Sequence, residues 1–290
     1  QSLKNFTHIS IVLLMFGARA YAAQCPGIFA KNEAPAILSE TSRIGTVQLC
    51  NANYAVLVSE RTKGPLWSAE DLTEESLEIA DKTPRRSSFY ADMRLPAAMR
   101  ASLSDYRSTG YDRGHMTPGG DEPGLKSQRQ SFLVSNIVPQ TAELNRGPWE
   151  GVESAVRGWA RQEGEIFVVT GPGYDPEHQV AMGKGRLPVP TVTWKAIYDP
   201  ASNGTGAYVC LNTGHPTCKV TTVALLIQLV NIDPFPGLPA TLKEHVVGMP
   251  PIRESPYVLS KRPNGKKLFK AWSSRATQKA IKALVKALVQ

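Results

Sequence analysis

The sequence predicts an α+β fold. Segments rich in strand formers and segments of helical periodicity are interleaved, without the steady strand–helix–strand rhythm of a doubly wound sheet. No internal repeat and no low-complexity block interrupts them. At 290 residues, with 42% hydrophobic and 20% charged residues, the chain is long and apolar enough to bury a sizeable core, unlike a disordered chain.

The first residues stand apart. Lys4 precedes the apolar run Ile9-Ser10-Ile11-Val12-Leu13-Leu14-Met15-Phe16, and Ala20-Tyr21-Ala22 supplies a small-x-small pattern. That order reads as a secretory signal peptide over residues 1–22, and the apolar run is too short to cross a bilayer. Its removal takes away Lys4 and Arg19 and no acid, lowering the net charge from +8 to +6. Export favours disulfides among the four cysteines, Cys25, Cys50, Cys210 and Cys218. Three pairings are open. Nearness in sequence suggests Cys210 with Cys218 and Cys25 with Cys50. The rival is zinc on Cys210, His215 and Cys218, a set with no obvious fourth ligand.

Beyond Cys25-Pro26-Gly27, residues 44–50 and 54–59 are rich in strand formers, with a turn at Asn51-Ala52-Asn53. Residues 67–80 carry many acids and helix formers, and Thr73 is placed to cap a short helix. Residues 83–92 read as loop and 96–103 as a short helix. Gly110 opens an extended segment and loop. Signals over 128–138 are mixed, and Pro139 stops any helix. Residues 148–162 are helical: Trp149, Val152, Val156 and Trp159 form one apolar stripe, and Pro148 suits the first turn. Strands are expected at 165–170, 191–198, 207–211 and 220–230, followed by a Pro-rich loop over 231–239. In residues 271–290, Ile281, Leu284, Val285 and Leu288 share one helical face, with Lys279, Lys282 and Lys286 on the other. This basic amphipathic helix is expected to pack on the domain with its lysines solvated.

A net charge of +8 and a pI near 9.3 fit a polyanionic partner, nucleic acid or an anionic membrane surface. The chemistry concentrates between Tyr111 and Arg157. In Asp112-Arg113-Gly114-His115, the histidine can accept a proton near neutrality, the arginine offers a planar fork for phosphate, and Gly114 allows close approach of the backbone. Asn145 follows, then Glu153 and Arg157 at i, i+4 on the Trp149 helix, hence on one face. An asparagine carbonyl suits a hard cation such as Mg²⁺, which takes few protein ligands and keeps its waters.

Three motifs in this order resemble the DNA/RNA non-specific endonucleases of the ββα-metal class. They are Asp112-Arg113-Gly114-His115-Met116-Thr117-Pro118, Ser135-Asn136-Ile137-Val138-Pro139-Gln140, and Leu144-Asn145-Arg146-Gly147-Pro148-Trp149 with Glu153 and Arg157. The resemblance implies a mainly antiparallel central sheet flanked by helices, with a ββα-metal active-site motif, in a single endonuclease domain over 23–270. It implies Mg²⁺, with Mn²⁺ able to substitute, and DNA and RNA as substrates cut to 5′-phosphate and 3′-hydroxyl ends. His115 would be the general base, Asn145 the metal ligand, and Glu153 the holder of a water in the metal's shell. Arg113 and Arg157 would bind phosphate and steady the transition state. Asn136 would position the loop around the metal and joins Arg85 and Arg86 as a substrate-side candidate. The family's upstream arginine falls on Arg85 or Arg86, with spacing to Phe89 favouring Arg85. The loop Gly119-Gly120-Asp121-Glu122-Pro123-Gly124 is richer in glycine and acid than many members', which bears on substrate preference. The expected protein is an exported enzyme of the periplasm or the medium, without a stable membrane span. The alternative is a non-catalytic basic nucleic-acid-binding protein on the same fold, against which stand intact His115, Asn145 and Glu153.

Overall fold

The apolar runs of the middle of the chain are continuous because their sheet is covered on both faces. In the computed structural model, which describes residues 25–85 and 88–252, seven strands pair antiparallel in the order β12-β11-β10-β7-β4-β3-β2. They are β2 (Thr46–Cys50), β3 (Tyr54–Ser59), β4 (Gly64–Thr73), β7 (Glu165–Gly173), β10 (Val192–Asp199), β11 (Gly204–Leu211) and β12 (Cys218–Thr221). Successive residues of a strand point to opposite faces. On β7 and β10, Val169, Trp194, Ala196 and Tyr198 enter one core with Trp67, Val223, Leu226 and Phe235. Ile166, Val168 and Ile197 enter the other, with Leu72, Leu77 and Tyr208. Three two-stranded ladders lie outside this sheet: β1 (Ala36–Ile37) with β13 (Ile232–Asp233), β5 (Tyr111–His115) with β6 (Ile137–Thr141), and β8 (Val180–Met182) with β9 (Leu187–Val189).

The helices are α1 (Glu40–Arg43), α2 (Glu74–Lys82), α3 (Gly124–Ser131), α4 (Ala142–Asn145), α5 (Pro148–Glu163), α6 (Val223–Val230) and α7 (Ala240–Lys243). The expected apolar stripe of α5 is realised: Trp149, Val152, Val156 and Trp159 are all buried in the second core. Pro148 sits in the first turn, and Gly164 closes the helix with φ of +88°. β5, β6 and the α4–α5 pair form the expected ββα arrangement beside the large sheet. No helix among the described residues is long and apolar enough to cross a membrane.

Several local expectations are corrected. Residues 67–73 belong to β4, despite their acids, because β3 and β7 flank that strand on both sides and bury most of it. The helix starts only after Thr73, whose hydroxyl accepts from Ser76 N while Ser76 Oγ accepts from Thr73 N, both at 3.1 Å. The run expected as a strand over 220–230 divides at Thr222, which caps α6 by accepting from Leu225 N at 3.1 Å. Val223 and Leu226 are the buried pair of that helix, a spacing of three that a strand cannot put on one face. Residues 96–103 hold 3₁₀ turns, Ala97–Met99 and Leu103–Tyr106, rather than one helix. The 231–239 loop contains the short strand β13. Pro139 stands inside β6, where it is tolerated because β6 pairs on one side only.

Disulfides join Cys25 to Cys50 and Cys210 to Cys218. The second bridges a directly opposed pair of β11 and β12, which removes the zinc reading of Cys210, His215 and Cys218. The signal peptide over 1–22, Arg86 and the helix over 271–290 lie outside the described residues, as do the outer parts of the 23–270 domain.

Trp149 is fully enclosed between α5 and the sheet. Trp149→Ala is expected to lower the unfolding free energy by about 3–5 kcal/mol, the range for deleting a large buried aromatic. Urea unfolding followed by circular dichroism measures this; a loss below about 1 kcal/mol would show that α5 does not depend on the stripe.

Candidate active site

One cleft of about 490 Å³ gathers Arg85, Arg113, His115, Asn145, Glu153 and Arg157. These come from four separate parts of the chain, and each is held by an identifiable local device.

On β5, Arg113 and His115 are two residues apart and share a face, with Gly114 buried on the other. A Cβ on Gly114 would collide with the Gln140 side chain, itself fully buried on β6. The glycine thus serves contact between the two strands of the ladder, rather than approach of the backbone to a ligand. Beyond His115 the chain is pinned by Asn136. Its Oδ1 accepts from Thr117 N at 3.0 Å, its Nδ2 donates to the carbonyls of Thr117 and Ser131 at 2.9 Å, and its own carbonyl accepts from Met116 N at 3.0 Å. Asn136 is fully buried and does not line the cleft. Its bonds hold the loop that follows His115. Arg85 is exposed at the cleft.

The opposite wall is α4 and α5. Asn145 is the last residue of α4, and its Nδ2 donates to Asp112 Oδ2 at 3.1 Å. That bond fixes the amide plane and leaves the amide oxygen as the uncommitted, hard donor. Arg146 forks onto the same carboxylate, Nε to Oδ2 at 2.7 Å and Nη2 to Oδ1 at 2.6 Å. Gly147 then turns the chain into α5 with φ −112° and ψ −116°, where a Cβ would strike the Glu143 carbonyl. On α5, Glu150, Glu153 and Arg157 face the cleft, opposite the buried tryptophan stripe. Glu153 and Arg157 share that face, yet the carboxylate bound to Arg157 is another: its Nη1 donates to Asp121 Oδ1 at 2.8 Å, and its Nη2 to Ser154 Oγ at 3.1 Å.

Sequence reasoning missed these supporting groups. Asp121 is 36 residues from Arg157 in a glycine-rich loop, with no periodicity to join them. Phe89 and Phe132 enclose the imidazole, with ring centroids 5.2 and 4.8 Å from that of His115. Phe89 also carries the Arg113 guanidinium 4.7 Å from its ring centre. The loop at Phe89 gives no pattern from which these contacts could be read. Asp112, inside the first motif, was the one legible candidate.

The electrostatics follow from this enclosure. Burial, aided by the Arg85 charge, lowers the His115 pKa from 6.5 to about 3, so the imidazole is neutral at ordinary pH. Its Nε2 is enclosed without a hydrogen-bond partner among the described residues. Burial raises the Glu153 carboxyl to about 7, against the lowering influence of Arg157 and Lys195, with Asp121 and Glu150 adding to the rise. Among the described residues no three of His, Cys, Asp or Glu converge as a metal-binding group. A hard cation bound here would rest on the Asn145 amide oxygen, nearby carboxylates and its own waters. A neutral base, arginines and hard oxygen donors around one cleft can hold an anionic ester and take a proton from an attacking water.

Comparison with known proteins points the same way. Residues 34–240 match the model of the DNA/RNA non-specific endonuclease family. Nuclease C1 of Cunninghamella echinulata var. echinulata is 30% identical over 200 residues, 64% of this chain and 79% of that protein. Mitochondrial endonuclease G of Bos taurus is 30% identical over 189 residues, 62% of this chain and 60% of its own length. A chain in the crystal structure of the EndoG/EndoGI complex superposes with a TM-score of 0.54 at 29% identity, covering 57% of this chain and 74% of that one.

In metal-free protein, the Glu153 carboxyl is expected to titrate at about pH 7, and Arg157→Gln to move it higher by removing a cation that lowers it. The folded state then holds this proton more tightly than the unfolded chain, whose value is near 4.5. Glu153's contribution to stability is therefore full below about pH 4.5 and lost as pH rises through about 7. Carboxyl ¹³C NMR of the two proteins checks both points; titration near 4.5 in the wild type would refute the burial argument.

Proposed function

The chain belongs to the family of DNA/RNA non-specific endonucleases, and on that premise we propose that it hydrolyses phosphodiester bonds of DNA and RNA with a divalent metal ion. The observation carrying this reading is the convergence of His115, Asn145, Glu153 and the arginines Arg85, Arg113 and Arg157 on one cleft. The donor set fits Mg²⁺, with Mn²⁺ able to substitute. Asp112 occupies the Asn145 amide nitrogen, so a hard oxygen is the group Asn145 has to offer, with Glu153 lining the same cleft. When bound, such a cation offsets charge on the phosphate and on the departing 3′ oxygen.

The chain's own residues perform the rest. Neutral His115, enclosed by Phe89 and Phe132, accepts a proton on its imidazole from the water that attacks phosphorus. Arg113 and Arg85 bind the phosphate oxygens from the His115 wall. Arg157, held in place by Asp121, does so from α5. The bond from phosphorus to the 3′ oxygen breaks and that oxygen takes a proton from solvent water, giving a 5′-phosphate and a 3′-hydroxyl. Groups aimed at phosphate rather than at base edges make cutting insensitive to sequence. Export to the periplasm or the medium agrees with the disulfides Cys25–Cys50 and Cys210–Cys218 and with the reading of residues 1–22.

Purified chain incubated with circular DNA and with RNA should nick and degrade both when Mg²⁺ is supplied and neither in excess chelator. His115→Ala should slow cutting by roughly 10²–10⁴-fold, the usual worth of a general base. Asn145→Ala should raise the Mg²⁺ concentration needed for half-maximal rate. Equal rates for wild type and His115→Ala would remove the histidine from its role. Intact polymers under every divalent metal would leave the non-catalytic binding protein in its place.

A further inference from the structure

Next to the cleft lies a second cavity of about 640 Å³, lined by Ser88, Tyr90, Leu125, Lys126, Arg129 and Gln130. We propose that this groove is a second seat for the polynucleotide substrate, holding the strand away from the bond being cut. The proposal rests on the nuclease reading of the cleft.

Continuity comes first. Phe89 lines the cleft and Tyr90 the groove, and neighbours in extended backbone point to opposite sides. Each ring carries an arginine: Arg113 is 4.7 Å from the centre of Phe89, and Arg129 is 5.4 Å from that of Tyr90. The same pairing of an aromatic face with a guanidinium therefore stands on either side of one short segment. A strand leaving the cleft across that segment meets the second pair.

The groove has the composition a nucleic acid strand requires. Lys126 and Arg129 are one helical turn apart on α3 and exposed, and neither has an ion-pairing carboxylate among the described residues. Neighbouring arginines differ: Arg94 is bound by Asp92, and Arg157 by Asp121. Leu125, 52% exposed, adds apolar surface beside the Tyr90 ring, on which a base or sugar can pack. Phosphates would meet the two cations, and no base edge is read.

The seat is also preformed. Tyr90 N donates to the Phe132 carbonyl at 3.2 Å, and Val134 N to the Tyr90 carbonyl at 3.0 Å. The Gln130 side chain accepts from Ala52 N, and its carbonyl accepts from Tyr54 Oη, both at 2.8 Å. α3 is thereby tied to the β2–β3 turn, and little has to be ordered when a strand arrives.

The test uses the full chain with Lys126→Ala/Arg129→Ala, Tyr90→Ala and Tyr90→Phe. Binding of a fluorescent single-stranded 20-mer is followed by anisotropy in a His115→Ala background without metal, over a range of salt. Loss of two phosphate contacts should lower the slope of log Kd against log salt by about 1.4. Tyr90→Ala should raise Kd roughly fivefold or more, as for loss of one stacked base, while Tyr90→Phe binds like the parent. In the active chain, the ratio of kcat/KM on the 20-mer to that on a dinucleotide should fall in the double variant. An unchanged slope and Kd, or equal falls on both substrates, would overturn the groove. If the active chain cut neither substrate while the double variant still lost binding, the nuclease reading would fail and the seat would stand.

Discussion

Burial of the α5 stripe is the constraint on which the site depends. Trp149, Val152, Val156 and Trp159 are packed in one core with Leu72 of β4, Ile166 and Val168 of β7, Ile197 of β10 and Tyr208 of β11. Once that face is fixed, the rotation of the helix is fixed, and with it the direction of Glu150, Glu153 and Arg157. A turn of one residue along α5, about 100°, would expose tryptophan and bury carboxylate. The same hydrophobic term that holds the fold thus aims the charged groups, and Asp121 and Ser154 then fix the end of Arg157.

The charges that result are costly, and the structure offsets them locally. Lys195 is fully buried, with Nζ donating to Thr170 Oγ1 at 2.7 Å and lying 3.9 Å from Glu70 Oε1 and 5.9 Å from the Trp149 ring centre. Burial, with Asp121 adding to it, pushes the Glu70 carboxyl well above its ordinary range, against Lys195. Asp121 also holds Arg157 at the cleft, so the buried pair and the cleft share the influence of one carboxylate. Pairs buried in this way contribute geometry more than stability, since their desolvation consumes most of the attraction.

What could be read from the sequence follows the range of the forces involved. The α5 stripe, the Thr73 cap and the β2–β3 pair are local patterns, and the sequence shows them at short spacing. The cleft's principal residues were legible because they stand in motifs whose order resembles a family. β4 was misread because its acids look helical, while its flanking strands, β3 and β7, decide its state and β7 lies about a hundred residues away. The α6 segment misled in the opposite way, its β-branched residues concealing a capped helix. The contacts of Asp121, Phe89 and Phe132 could not be read for the same reason as β4: their partners are set by tertiary contact, and no spacing encodes them.

Two kinds of arginine emerge around the cleft, and the difference is functional in character. Arg146 and Arg157 are each bound by an aspartate, Asp112 and Asp121 respectively. Their positions are set before any substrate arrives, and Arg146 in addition holds the carboxylate that orients Asn145. Arg113 rests on an aromatic ring and Arg85 stands exposed, neither with an ion-pairing carboxylate among the described residues. A guanidinium stacked on a ring keeps its five donors in plane and unspent. A phosphate entering the cleft need not displace a carboxylate to reach such a group, so its full charge-assisted hydrogen bonds are available to the ligand. The aspartate-bound arginines, Arg157 of the cleft among them, are fixed in advance, whereas Arg113 and Arg85 keep their donors clear of any carboxylate among the described residues.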